Sequence, residues 1–268
     1  MDIKEIITAF EQWANPAWQE KWDNSGWQVE PGILSEPAGV LVCLTPTLAV
    51  MEEAIALKAK GRPVNLIFAH HPLIFGGISA VRSTDSVGKV VHKAIAHRIG
   101  IYSAHTNFDQ VAGGTADVLA QLLSLQSAEP IAVTDTASAR GYGRVGKLPI
   151  AQPLQQLLDA IQSVLSPPRL LHSPIDNFQH PIETVAVLGG SGAGYLSAVV
   201  QTGAQAYLTA DCKFHQFQES RDQGLVLIDA GHYATERPAC ARLVKWFEQQ
   251  GVKWTALSEK DEDFRQLC

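Results

Sequence analysis

Along most of this chain, short apolar runs alternate with stretches in which apolar residues recur every three to four positions. That rhythm constrains the fold more than any other feature. Runs at 39–44 (GVLVCL), 65–70 (NLIFAH), 101–104, 184–188 (TVAVL), 206–209, 225–229 and 253–257 predict strands. The intervening segments 48–60, 87–99, 114–123, 154–165, 195–202, 213–223 and 236–250 predict helices. Repeated β-α units imply an α/β fold with mostly parallel sheets and helices packed on their faces. A mixed, turn-prone stretch covers 124–139, and the turn-rich region around 125–150 and the proline-rich one at 167–181 are the natural places for a domain join or insertion. The expectation is two α/β domains: residues 1–125, completed by 232–268, and residues 126–231.

Composition narrows the function classes. The 268 residues are 46% hydrophobic and 18% charged, enough for a sizeable core. The formal net charge is −6, and no two Lys or Arg residues are adjacent. A concentrated cationic face is what nucleic-acid and membrane-surface binders need, so neither partner is expected. Ile3, Ile6, Ile7, Phe10 and Trp13 fall at helical spacing, so the N-terminal segment reads as an amphipathic helix rather than a signal peptide. No stretch approaches the ~18 uninterrupted apolar residues of a membrane span. Cys43, Cys212, Cys240 and Cys268 are scattered without a CxxC, and read as reduced thiols of a cytoplasmic protein.

In open α/β sheets, ligands bind beyond the carboxyl ends of strands. Three polar clusters occupy such positions here. His70-His71-Pro72 follows one strand, His105 to Asp109 (HTNFD) follows another, and Gly231 to Glu236 (GHYATE) follows a third and opens a helix. Pro72 holds His71 extended, so the adjacent histidines can address two different ions. His232 and Glu236, four apart, share a helix face. Imidazole with carboxylate suits zinc, iron or manganese better than calcium. Five ligands exceed the usual three of an open catalytic zinc and suit two divalent metal ions. Two such ions with the carboxylates of Asp109 and Glu236 leave net positive charge, which favours a small anionic, phosphorylated substrate. Taken singly, a histidine pair is commonly accidental and an H-x-x-x-E is commonly a surface pair; three clusters, each at a strand end, point to a metal site. His92 and His97 read as solvated, His215 as a polar helix position, and His172 and His180 as loop residues.

The segment VAVLGGSGAG (185–194) is a strand, a glycine turn and a helix start. Its Gly190, Ser191 and Gly192 form either a plain packing turn or a cradle whose backbone N–H groups hold a substrate anion beside the metals. It lacks the Lys-Ser/Thr of a Walker loop, and Ala193 spoils the G-x-S-x-G nucleophile elbow. A serine hydrolase built on Ser191 and His232 is the weaker reading.

Several of these pieces, taken together, resemble the Nif-three-like family, also named GTP cyclohydrolase 1 type 2. They are WDNSGWQ (22–28), AHHPLIF (69–75), AHTNFD (104–109) with Gly113 and Gly114, GRVG (143–146), LGGSG (188–192), AYLTAD (206–211) and IDAGHYATE (228–236). They run from about residue 20 to 240 in family order. The resemblance implies two α/β domains with a two-metal site in the cleft between them, and a toroidal homohexamer. By motif, His70, His71, Asp109, His232 and Glu236 match the metal ligands, and His105 a neighbouring position assigned to proton transfer. The family's LDxT reads Leu44-Thr45-Pro46-Thr47, its TGD reads Thr209-Ala210-Asp211, and one of a following histidine pair reads Phe214. Those departures bear on substrate preference more than on metal binding.

Two functions follow as expectations. One is a dinuclear metal-dependent hydrolase whose substrate, under the family name, is GTP, opened at its imidazole ring with loss of formate. The alternative is a non-catalytic metal-binding interaction or regulatory protein assembled as a ring.

Overall fold

A computed structural model describes residues 1–175, 177–179 and 181–266. His180 and Cys268, read above as a loop histidine and a reduced thiol, lie outside the described residues. The elements run α1 (Ile3–Trp13), β1 (Gly26–Val29), β2 (Gly39–Cys43), α2 (Leu48–Ala59), β3 (Leu66–Ala69), α3 (Ser86–His97), β4 (Gly100–Ser103) and α4 (Thr106–Asp109). Next come α5 (Thr115–Leu122), β5 (Gln126–Glu129), β6 (Ala132–Asp135), β7 (Arg140–Tyr142), β8 (Arg144–Pro153) and α6 (Leu154–Leu165). The remainder is β9 (Leu171–His172), β10 (Pro181–Val187), α7 (Leu196–Gln201), β11 (Ala206–Thr209), α8 (Phe214–Asp222), β12 (Val226–Asp229), α9 (His232–Gln249) and β13 (Trp254–Leu257).

The chain divides into two compact units: 1–108 with 240–264, and 109–239 with 265–268. The first boundary falls at 108/109 rather than at the expected 125/126. The reason is α5, whose Leu119 and Ala120 pack into the core of the second unit. Residues 232–239, expected in the first unit, also belong to the second.

The first unit carries a five-stranded sheet in the order β1-β4-β3-β2-β13. Strands β13, β2, β3 and β4 are parallel, and β1 adds antiparallel to β4. On one face Leu41, Ile67 and Ile101 meet Val50, Met51 and Ala54 of α2 and Val90, Val91 and Ala94 of α3. The alternate residues Phe68 and Tyr102 point to the other face, where Phe10 of α1 and Phe247 of α9 pack on Phe68 at ring-centre distances of 4.7 and 4.9 Å. Burial on both faces is why these strands read as unbroken apolar runs. Asp2 caps α1 with a reciprocal bond to Glu5, fixing where that amphipathic helix starts.

The second unit carries a six-stranded sheet, β5-β8-β10-β11-β12-β9, and a small β6-β7 hairpin. Only β10, β11 and β12 pair in parallel; β5, β8 and β9 join antiparallel, so this sheet is mixed. The stretch 124–139, expected as turns, contains β5 and β6. Their residues are mostly exposed, so they lack the apolar alternation that marks a strand. Val185, Val187, Leu208 and Ile228 face α5 and α6, while Ala186, Tyr207 and Leu227 face α7 and α8. Cys43, Cys212 and Cys240 form no disulfide.

Candidate metal centre

In the first unit, parallel neighbours β3 and β4 end in register, Ala69 opposite Ser103. The residues that follow, His70 and His71 after β3 and His105 after β4, therefore emerge at one sheet edge. Their ligand nitrogens lie within 4.8 Å of one another. Each ring is held through its Nδ1. His70 Nδ1 stands 2.7 Å from the Ala104 carbonyl oxygen; a carbonyl only accepts, so Nδ1 carries the proton and Nε2 presents the lone pair. His105 Nδ1 donates to Asp23 Oδ1 at 2.7 Å, and His71 Nδ1 bonds Thr45 Oγ1 at 2.9 Å. Fixing the tautomer of a ligating histidine through its second nitrogen is what metal sites require.

Asp23 has no exposed side-chain surface. Burial alone would raise its pKa, yet the bonds from His105 and Thr106 prevail and hold it below the usual carboxylate range. Thr45 stands where an acidic residue was expected, and it retains a bond to His71. Asp261 supplies a carboxylate close by, accepting the Leu44 N–H at 2.5 Å and the Thr45 N–H at 3.3 Å.

In the second unit, β12 ends at Asp229, whose Oδ1 accepts the Gly231 N–H at 2.9 Å. Gly231 takes φ +85°, a left-handed turn that suits glycine, and α9 starts at His232. One helical turn separates His232 from Glu236, and His232 Nε2 lies 2.8 Å from Glu236 Oε2. Its other nitrogen, Nδ1, lies 2.7 Å from Asp211 Oδ2. Burial disfavours charge on this ring, but two flanking carboxylates outweigh it and push the His232 pKa up to about 10. His232 in turn draws Asp211 down to about 2, against burial, with Ser191 and Arg265 contributing.

Asp109 closes α4 and accepts the Thr115 hydroxyl at 2.5 Å. The loop behind it is secured by Arg144, buried at 3% exposure, whose guanidinium pairs with Asp117 while Asp117 accepts the Gly113 N–H. That pairing gives the GRVG and Gly113-Gly114 segments a structural role.

In the glycine turn, two of the three backbone donors are engaged within the fold. The Gly190 N–H donates to Thr235 Oγ1 and the Gly192 N–H to Thr209 Oγ1, both at 3.0 Å, so neither offers itself to a substrate. The glycines serve close packing instead. Gly190 has φ +64°, and a Cβ there would collide with Glu236 Oε1; at Gly192 it would crowd Thr209 and Tyr207. The serine-hydrolase geometry is also absent, because Ser191 Oγ donates to Asp211 at 2.6 Å while His232 Nε2 faces Glu236.

Sequence reasoning left two acids without a role, Asp23 and Asp211. Each hydrogen-bonds the Nδ1 of a site histidine. Both stand in recognisable segments, WDNSGWQ and AYLTAD, but their partners lie 82 and 21 positions away, beyond any spacing rule. His92 and His97 lie on α3 and His215 on α8, and none belongs to a candidate metal-holding group found among the described residues.

The donor chemistry fits two divalent ions: an imidazole-rich set in the first unit and an imidazole–carboxylate set in the second, a combination that accepts several first-row metals. Among known proteins, the chain is 62% identical to a Nostoc sp. protein named "GTP cyclohydrolase 1 type 2 homolog", over 100% of this chain and 99% of the relative. It is 31% identical to the Schizosaccharomyces pombe "Protein NIF3 homolog", over 89% and 87% of the two chains. A Staphylococcus aureus protein of known structure superposes with TM-score 0.87 at 25% identity, covering 100% and 99%. A Bacillus cereus protein related to NIF3 shares the fold, with TM-score 0.86 at 23% identity, covering 100% and 99%. Residues 1–262 match one family along their whole length, and the chain belongs to it: Duf34/NIF3 (NGG1p interacting factor 3).

Proposed function

We propose that the protein is a dinuclear metal-dependent hydrolase acting on a nucleotide or other phosphorylated small molecule. The observation that carries this reading is the gathering of His70, His71 and His105 at one sheet edge, each with Nδ1 engaged by an oxygen. His70, His71, Asp109, His232 and Glu236 are assigned as ligands. When bound, the ions supply Lewis-acid polarisation of a substrate oxygen and acidify water. His105 is assigned to proton transfer: Asp23 holds its Nδ1–H, which leaves Nε2 to take up or deliver a proton. Asp23 stabilises the imidazolium formed on uptake and keeps the ring oriented.

GTP is the first substrate to try, because the 62%-identical relative carries the cyclohydrolase name. Metal-reconstituted protein is incubated with GTP and formate is followed. Release above that of a His71→Ala/Glu236→Ala double variant supports the reading; release equal to it removes GTP. A variant that loses assembly or partner binding, with no turnover on a broad phosphate and nucleotide panel, favours the non-catalytic alternative. No helix among the described residues is long and apolar enough to cross a membrane. A toroidal hexamer in the cytoplasm is carried forward from the sequence resemblance, and sedimentation of the full chain measures the subunit number.

A further inference from the structure

Beside the three histidines, the first unit leaves two large aromatic rings in solvent. Trp22 is 56% exposed and Phe75 66%. Their ring centres lie 5.8 Å apart at 39°, and both flank His105 at 5.9 and 6.3 Å, edge to face. Folding alone does not account for them, since an exposed indole and phenyl forfeit the burial that rewards such side chains.

The backbone beneath the rings is bound tightly. Asn24 Nδ2 donates to the Ile74 carbonyl at 2.8 Å, and the Ile74 N–H donates to Gln28 Oε1 at 3.0 Å. Gln28, only 9% exposed, turns its amide back to the Asn24 carbonyl at 2.6 Å. Asp23, next to Trp22, is anchored by His105 and by the Thr106 N–H and hydroxyl. Two loops distant in sequence are thus stapled together by side-chain amides, with Asp23 fixing the first to the turn at His105, and each carries an exposed aromatic ring. Fixed rings lose little conformational freedom when a ligand arrives.

We propose that Trp22 and Phe75 form a stacking surface for the planar heteroaromatic ring of a small anionic ligand, whose charged end lies at the neighbouring histidines. This deepens the hydrolase reading by naming a substrate class, and it rests on that reading. The surface is a platform rather than a clamp: carbon contacts of ~3.5 Å on each face would need ring centres ~7 Å apart to admit a base between them. A platform reads the π face common to all bases, so purine recognition here is permissive.

The test uses full-length, metal-loaded protein and calorimetric titration with guanosine, adenosine and inorganic tripolyphosphate. Both nucleosides bind the unaltered protein. Trp22→Leu and Phe75→Leu, which keep apolar bulk but lose the π face, each weaken nucleoside binding about tenfold or more. Tripolyphosphate affinity, metal content and sedimentation stay unchanged, and Trp22→Phe restores most of the nucleoside affinity. The proposal is overturned if neither nucleoside binds, if the leucine variants bind as tightly as the parent, or if affinity falls only together with a change in subunit number, which would assign the rings to a second copy of the chain. The two readings separate cleanly. Trp22-dependent nucleoside binding without formate from GTP defeats the cyclohydrolase reading alone; formate release equal in parent and Trp22→Leu at limiting GTP defeats the platform alone.

Discussion

The two histidine sets follow one architectural rule and differ in electrostatics. Both arise where strands end, and both use a carboxylate to hold a ring: Asp23 on His105 and Asp211 on His232, each at 2.7 Å. In the first unit that carboxylate faces one nitrogen of a single ring, while His70 and His71 rest against a carbonyl and a hydroxyl. In the second unit His232 has acids on both nitrogens. In the first set, the carbonyl on His70 Nδ1 leaves the lone pair on Nε2 to meet a cation. The second stores a proton on His232, which an ion must displace. A carboxylate on Nδ1 thus orients a proton-transfer ring in one place and helps keep a ligand protonated in the other.

Stripping either set is the severest way to break this contrast. His70→Ala and His232→Ala/Glu236→Ala should each cost about one ion per chain by elemental analysis. If either variant loses both ions, the two sets act as one cooperative centre and the contrast fails. A second test is pH. In the His70→Ala background, affinity for the remaining ion should rise with pH by up to about tenfold per unit below the His232 pKa, measured by equilibrium dialysis between pH 6.5 and 8.5. A flat profile would show that His232 holds no proton to release. The same shift has a stability sign in metal-free protein. A folded pKa of about 10 against an ordinary 6.5 stabilises the fold fully below pH 6.5 and is lost as pH rises through about 10. Denaturant midpoints of the parent should therefore converge on those of His232→Gln across that window.

Weaker effects sharpen the comparison. Asp23→Asn and Asp211→Asn keep shape and remove charge; Asp211→Asn should lower metal affinity, and Asp23→Asn turnover, roughly 10–100-fold. Asp211→Asn should also flatten the pH profile, and Asp23→Asn should leave it alone. Smallest is Gly190→Ala, which forces a left-handed residue and a Cβ against Glu236. A loss of roughly 1–3 kcal/mol in denaturant stability is expected. The ion held by the second unit should weaken with it, while the first unit's ion is unaffected.

Much of the second unit's architecture was harder to read than the first's. The first sheet is apolar on both faces, so β2, β3 and β4 announce themselves as continuous runs. β5 and β6 are exposed and polar, and only pairing with neighbouring strands makes them strands. The glycine turn shows a similar limit. Glycines in a strand–turn–helix context admit both an anion cradle and a packing contact, and the choice depends on Glu236 and Thr209 pressing against the turn from elsewhere in the chain.

What the sequence by itself determined was the alternation of elements and the placing of His70, His71, His105, His232 and Glu236 at strand ends. Both are local properties, carried by periodicity and by residues within a few positions of a strand. Tertiary structure alone decided which atom of each histidine is engaged, that Asp23 and Asp211 orient two of them, and that Trp22 and Phe75 stand together in solvent. Those pairings join loops 82, 21 and 53 positions apart. They depend on which strands lie side by side, and hydrogen bonds of a few ångströms leave no period in the chain to be read.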